Sequence, residues 1–304
     1  MDIPPSDPQA IVARFRPLDE LIPALWHHDK VMLPHGLNMA YWRTGGDKPP
    51  LLLIHGVQVS GINWLRVALA LADDYDVIMP DMRGHGDTQG LGDRLQADTL
   101  VNDVAAFLDA LEIEKPIVMG HSMGADIAGR LAAMRPVEKL VLVDPALVNF
   151  FAQMPSMRDG LPPYMAPIVQ AIQALRDQSH EQQMITGLAL LPPGASPWGE
   201  LDYVSYMAGQ AKFDLNFYRH MASLGYLFED EATISRIDCP VLLITAGSPF
   251  MQAAGEPPGL AAFKNNWPQG DHQVIEGAGH AIFYDQFEQF VAVVRAFITI
   301  QESD

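Results

Sequence analysis

The sequence predicts an α/β fold: a mostly parallel sheet with helices on both faces and a helical segment inserted late in the chain. Three observations carry that expectation. Short continuous apolar runs alternate with amphipathic stretches. The alternation breaks off between about 146 and 235. It then resumes for two more apolar runs and a closing helix. A chain of 304 residues can bury one large core with an inserted subdomain, and 49% hydrophobic against 18% charged residues is ordinary for a globular protein.

In chain order, the first thirty residues give little signal. Val31 to Leu33 and Leu37 to Trp42, separated by Pro34-His35-Gly36, read as a hairpin. Leu51 to Ile54, Val77 to Met79, Ile117 to Met119 and Leu140 to Val143 read as buried strands, because runs without polar alternation suit strands covered on both faces. Helices are expected near 62–72, 97–111 and 124–134. From 146 to 235 methionine, proline and aromatic residues crowd helical stretches without a strand. Phe150, Phe151, Met154, Met157, Tyr164 and Met165 fall there, as do Trp198, Tyr203, Tyr206, Met207, Phe213, Phe217 and Tyr218. Most are expected to pack the insertion on the core and some to line a pocket. Strands resume at Val241 to Thr245 and His272 to Ile275. Phe287, Phe290, Val291, Val294 and Phe297 then share one face of a helix over 286–299. The expected organisation is a core of residues 1–145 and 236–304 with a helical cap of residues 146–235.

A net charge of −18 and the lack of any Lys/Arg-rich run argue against a nucleic-acid partner. Cys239 is the sole cysteine, so no internal disulfide forms. Met1-Asp2-Ile3-Pro4-Pro5 lacks the basic and apolar regions of a signal peptide, and no apolar run approaches ~20 residues. The expectation is a soluble, cytoplasmic protein with no membrane partner. His27-His28-Asp29 has no second ligand cluster at metal-binding spacing, so no metal is expected. Gly84, Gly86, Gly90 and Gly92 follow a strand, but no helix opens directly after them and the spacing does not suit a pyrophosphate cradle. No organic cofactor is expected either.

Gly120-His121-Ser122-Met123-Gly124 places a serine between a buried strand and a helix that opens with small residues. In such a turn the serine backbone is strained, and side chains two before and two after would clash, so glycine is needed at both positions. The turn lifts the hydroxyl to the carboxyl end of the sheet and aims helix N-terminal amides at the reacting oxygen. Ser122 is the expected nucleophile. His280, after Glu276-Gly277-Ala278-Gly279 and ahead of the last helix, lies at the same sheet edge and is the expected base. The amide of Val57, after His55-Gly56, pairs with the amide of Met123 as an expected oxyanion hole, while the His55 side chain is expected to serve the turn.

Leu53-Ile54-His55-Gly56, Asp81-Met82-Arg83-Gly84-His85-Gly86, Gly120-His121-Ser122-Met123-Gly124, Leu140-Val141-Leu142-Val143-Asp144-Pro145 and Gly277-Ala278-Gly279-His280 together resemble the α/β-hydrolase superfamily over about 31–300. The resemblance implies an eight-stranded, mostly parallel sheet, a cap inserted after the sixth strand, and a Ser-His-acid triad. The family usually draws its acid from the loop after the strand at 241–245. That loop here, Thr245-Ala246-Gly247-Ser248-Pro249-Phe250-Met251, holds no carboxylate. A minority of the family uses the end of the preceding strand, which makes Asp144 the expected acid, with Glu256 as the alternative. An aspartate at Asp144 would hold the His280 imidazole in the required tautomer. An acidic chain with no evident basic clamp points to an uncharged, rather apolar ester or lactone as small-molecule substrate. Carbon-carbon bond hydrolysis of a β-diketone type, or a ligand receptor on the same scaffold, are the alternatives. Haloalkane dehalogenation is disfavoured, since its relatives carry an aspartate where Ser122 stands.

Overall fold

Eight strands form one sheet in the order β1-β2-β4-β3-β5-β6-β7-β8. The strands are β1 (His27–Met32), β2 (Asn38–Arg43), β3 (Pro50–Ile54), β4 (Asp76–Pro80), β5 (Ile117–His121), β6 (Leu140–Val143), β7 (Val241–Gly247) and β8 (Asp271–Glu276). β1 and β2 form an antiparallel hairpin and β2 meets β4 antiparallel, whereas β4, β3, β5, β6, β7 and β8 run parallel in that spatial order. The computed structural model describes residues 7–92, 95–146, 165–191, 198–224, 226–247, 258–267 and 270–299.

β3 to β7 are the strands whose apolar runs are legible, and nearly every residue in them is buried. Their alternate side chains supply two apolar layers. Leu52, Ile54, Val118, Leu140 and Leu142 face one layer, with Phe107 of the helix Ala97–Ala110 and Ile127 of the helix Met123–Ala132. Leu51, Leu53, Met119, Val141 and Val143 face the other, with Leu65 and with Phe290 and Val294 of the helix Phe287–Ile298.

Two elements depart from expectation. β1 begins at His27 rather than Val31, since its register runs from His27 opposite Arg43 to Met32 opposite Asn38. An edge strand exposed along most of its length is defined by its backbone ladder, so His27-His28-Asp29-Lys30 carries no apolar signal. The helix expected over 62–72 is a 3-10 turn, Gly61–Trp64, leading into Leu65–Leu71. Gly61 permits that entry, because a Cβ there would lie 2.2 Å from the Met79 carbonyl oxygen.

Between β6 and β7 the described residues form helices Ala166–Leu175, His180–Gly187, Glu200–Lys212 and Glu231–Ile234, with 3-10 segments Leu188–Leu190, Leu215–Ser223 and Leu227–Glu229, and no strand. Phe150, Phe151, Met154, Met157 and Tyr164 lie outside the described residues. Glu200–Lys212 packs on the loop after β3, where Gly209 allows close approach: a Cβ on it would stand 2.7 Å from the Val59 Cα.

Candidate active site

Parallel strands end in register at one edge of the sheet, and the candidate residues gather there. His121, the last residue of β5, pairs with Val143, the last of β6. Ser122 and Asp144 are therefore the next residue on each of two adjacent strands. Both leave the sheet with positive φ, +53° for Ser122 and +41° for Asp144. Such a conformation costs on the order of 1–3 kcal/mol per residue in a non-glycine. The sheet holds both turns in place: the Ser122 amide donates to the Val143 carbonyl at 2.9 Å, and the Asp144 amide to the Ile244 carbonyl at 2.8 Å.

The glycines around Ser122 are required by contact distance. A Cβ on Gly120 would sit 2.0 Å from the Gly124 carbonyl oxygen, and one on Gly124 would sit 2.2 Å from that of Ile54. Both neighbours are backbone and cannot rotate away. Ser122 occupies the N-cap position of the helix Met123–Ala132, whose N-terminal amides carry the positive end of the helix dipole.

His280 Nδ1 lies 2.6 Å from Asp144 Oδ2, while the Ala246 amide donates to Asp144 Oδ1 at 3.0 Å. Both carboxylate oxygens are thus engaged, and the side chain is 6% exposed. The His280 side chain is 54% exposed. Glu256 lies outside the described residues. Val57 and Met123 both line the cavity that holds Ser122 and His280, and among the described residues neither amide donates to a protein acceptor. His55 serves the turn: the Met82 amide donates to Nε2 at 2.9 Å and Nδ1 donates to the Gly56 carbonyl at 2.6 Å. Burial pushes this imidazole down to about 4, so it stays neutral.

Several side chains of the site carry no motif of their own. His121 Nε2 lies 2.8 Å from the His280 carbonyl and ties the base's loop to the strand that carries Ser122. Its ring lies 4.6 Å from that of His280 and edge-on to Trp64 and Phe283. Burial, then the neighbouring His280, holds it well below the ordinary imidazole value. Asp285 accepts from the Gly279 amide at 2.8 Å and from Trp198 Nε1 at 2.9 Å, so one carboxylate holds both the base's loop and the inserted segment. Gln58, at φ +72°, bonds to Tyr218 and, at 3.4 Å, to Gln210. These partners are far apart in sequence, and nothing local signals them.

The cavity has a volume of about 340 Å³. Trp198, Tyr206, Phe283, Tyr284 and Asn63 form one part of its wall, and Ala97, Leu100, Asp126, Ile127, Arg130, Met221 and Leu224 another. Of the methionine and aromatic residues singled out in the insertion, Trp198 and Tyr206 line it, while Met165, Tyr203, Met207, Phe213, Phe217 and Tyr218 are buried in packing.

The Gly84-His85-Gly86 turn is organised by Asp81. Its carboxylate accepts from the Gly61 amide at 2.7 Å and the Asp87 amide at 2.8 Å, and a Cβ on Gly86 would strike it. His28, Asp81 and Asp87 are the one group of three metal-type ligands that converge among the described residues. Asp87 is already paired with Lys212 at 2.8 Å and Asp81 with those two amides, so their ligand atoms are committed to the fold. No helix among the described residues is long and apolar enough to cross a membrane.

A family model described as the alpha/beta hydrolase fold matches residues 49–287. The magnesium-chelatase 30 kDa subunit of Rhodobacter capsulatus is 30% identical over 177 residues, 55% of this chain and 62% of that protein, so the match leaves more than a third of that relative uncovered. Esterase YbfF of Escherichia coli is 27% identical over 83% of this chain and 94% of its own length. N-formylmaleamate deformylase of Pseudomonas putida is 27% identical over 87% and 94%. The crystal structure of the corresponding Pseudomonas putida S16 deformylase superposes with a TM-score of 0.68 at 23% identity, covering 88% of this chain and 99% of that one.

Proposed function

The chain belongs to the α/β-hydrolase fold family, and from that premise we propose that it is a serine hydrolase cleaving an uncharged, rather apolar carboxylic ester or lactone. The observation that carries the reading is the 2.6 Å hydrogen bond between His280 Nδ1 and Asp144, with His280 and Ser122 lining one cavity. The esterase relative supports the reaction class, and the largely apolar wall supports the substrate class.

Asp144 accepts a hydrogen bond from Nδ1–H, which leaves Nε2 as the free base. His280 takes the Ser122 proton as Oγ attacks the carbonyl carbon, and the developing oxyanion receives hydrogen bonds from the Val57 and Met123 amides. The imidazolium returns its proton to the departing alcohol oxygen as the acyl-oxygen bond breaks. Water then loses a proton to His280 and attacks the acyl carbon, and the imidazolium returns that proton to Ser122 Oγ as the acyl-enzyme bond breaks and the acid leaves. Residues 146–235 act as the cap that bounds the pocket.

A second reading is favoured by the deformylase relative: cleavage of an acyl carbon-nitrogen bond, with the same groups and an amine as leaving group. Hydrolysis of a panel of p-nitrophenyl esters, lactones and N-acyl amides by the wild type and Ser122→Ala separates the two. The ester reading expects esters or lactones to turn over at least tenfold faster than amides, with turnover lost in Ser122→Ala. Faster amides favour the second reading, and turnover that survives Ser122→Ala overturns both.

A further inference from the structure

The helix that Ser122 caps carries polar side chains along the cavity wall. Asp126 and Arg130, four apart, share one face of that helix, Ser122 stands at its N-cap, and all three line the cavity. Met123 and Ile127 lie next to Ser122 and Asp126 on the same segment, and Ala97, Leu100, Met221, Leu224 and Tyr226 also line the cavity. Arg130 pairs through Nη1 with Asp230 Oδ2 at 2.9 Å, while its buried Nε has no hydrogen-bond partner among the described residues.

Asp126 is only half committed. Its Oδ1 accepts from the Leu227 amide at 2.6 Å. Its second oxygen has no hydrogen bond from another residue among the described residues, and the residue belongs to the cavity wall. The whole residue is 9% exposed. A carboxylate oxygen left open beside an apolar wall discriminates between ligands more sharply than the wall itself does. A ligand that supplies a donor satisfies it, and one that offers only methylene leaves it desolvated and unpaired.

We propose that Asp126 is a substrate-recognition residue whose free oxygen accepts a hydrogen bond from a hydroxyl or amide N–H on the acyl chain. Asp126 stands about one helical turn, on the order of 5 Å, beyond the cap residue Ser122, which puts the donor roughly four to five bonds along an extended chain from the scissile carbonyl. The favoured substrate is then a δ-hydroxy or similarly placed amido ester rather than a plain alkyl ester. This deepens the hydrolase reading and rests on it.

The test compares methyl δ-hydroxyvalerate, methyl δ-methoxyvalerate and methyl caproate, whose chain ends in turn donate and accept, only accept, and do neither. Initial rates at pH 8 are read for the wild type, Asp126→Ala and Asp126→Asn. The wild type is expected to prefer the hydroxy ester by about ten- to a hundredfold in kcat/KM, with the methoxy and alkyl esters alike. Asp126→Ala brings the three together. Asp126→Asn keeps an acceptor for the Leu227 amide, so it guards against a folding failure, and it turns an NH₂ to the cavity so that the methoxy ester catches up with the hydroxy ester.

Calorimetric binding of the same esters to Ser122→Ala reads recognition without turnover. Unequal binding there, with no hydrolysis by the wild type, overturns the hydrolytic reading and upholds Asp126 as a recognition residue. Hydrolysis with no preference in the wild type, or a preference that survives Asp126→Ala, overturns this inference and leaves the hydrolase reading intact.

Discussion

Exchange of Asp144 for asparagine replaces one oxygen by an NH₂ group in a side chain whose two oxygens are both engaged. The Ala246 amide can only donate, so the asparagine oxygen is drawn to it and the NH₂ group faces His280 Nδ1. That nitrogen must then accept, and the imidazole proton moves to Nε2, where it points at Ser122 instead of receiving from it. In a serine protease the same exchange lowers kcat about 10⁴-fold through the wrong tautomer, equivalent to about 5.4 kcal/mol at about 1.36 kcal/mol per decade. The His280 side chain is 54% exposed, so water stabilises the wrong tautomer less selectively than a sealed site does, and the expected loss is about 10³- to 10⁴-fold. The Ala246 bond survives, which keeps the stability cost near 1 kcal/mol. The assay is kcat and KM on the best ester of the panel, with urea melts alongside. A variant that keeps more than a tenth of wild-type kcat, or that loses activity only through KM, refutes the argument. Glu256→Gln is the control: a large loss there with Asp144→Asn unaffected moves the acid to Glu256.

Two further outcomes follow from the geometry. Gly120→Ala drives a Cβ to 2.0 Å from a backbone carbonyl that cannot rotate away, so it is expected to cost about 3 kcal/mol or more in denaturant unfolding and to displace Ser122. A soluble variant within about 1 kcal/mol of wild type and fully active would contradict the contact. Burial raises the Asp126 carboxyl from 3.8 to about 7, against the opposing pull of the Leu227 amide and Arg130, whose partner is Asp230. The folded state therefore keeps this proton after the unfolded chain has lost it, and stability falls as pH rises from about 4 to about 7 and levels off above. Asp126→Asn removes that dependence, so its advantage over wild type should grow by about 2–4 kcal/mol across the same range, and a difference that stays flat in pH-resolved melts removes the basis for the prediction.

The parallel core was legible because β3 to β7 are covered on both faces, which forces runs such as Leu51 to Ile54 and Leu140 to Val143 to be apolar throughout. β1 was half hidden because its first four residues are exposed and contribute only backbone pairing. At the site, Ser122 and its two glycines were legible because a strained turn restricts residue types locally. Asp144 emerged only from what the 245–251 loop lacks. The sequence gives no sign of the partners of His121, Asp285, Gln58 and Asp126, since each acts through an approach between distant parts of the chain, as when Asp126 meets the Leu227 amide or Trp198 meets Asp285. A carboxylate four residues after Ser122 is visible in the sequence, but only the packing of Leu227 against the helix decides that one of its oxygens is left over.

The adjacency of Ser122 and Asp144 on paired strands bears on how such a protein can be redesigned. Their separation is set by the β5–β6 ladder, about 4.8 Å between neighbouring strands, and owes nothing to residues 165–235. The chemistry and the shape of the binding chamber are therefore inherited through different parts of the chain. The inserted helices can be shortened, exchanged with those of a relative or diversified in a library without resetting the spacing of the proposed nucleophile and acid. One seam to preserve is the carboxylate of Asp285, through which Trp198 shares its anchor with the loop of His280, and others are the bonds of Asp126 to the Leu227 amide and of Gln58 to Tyr218.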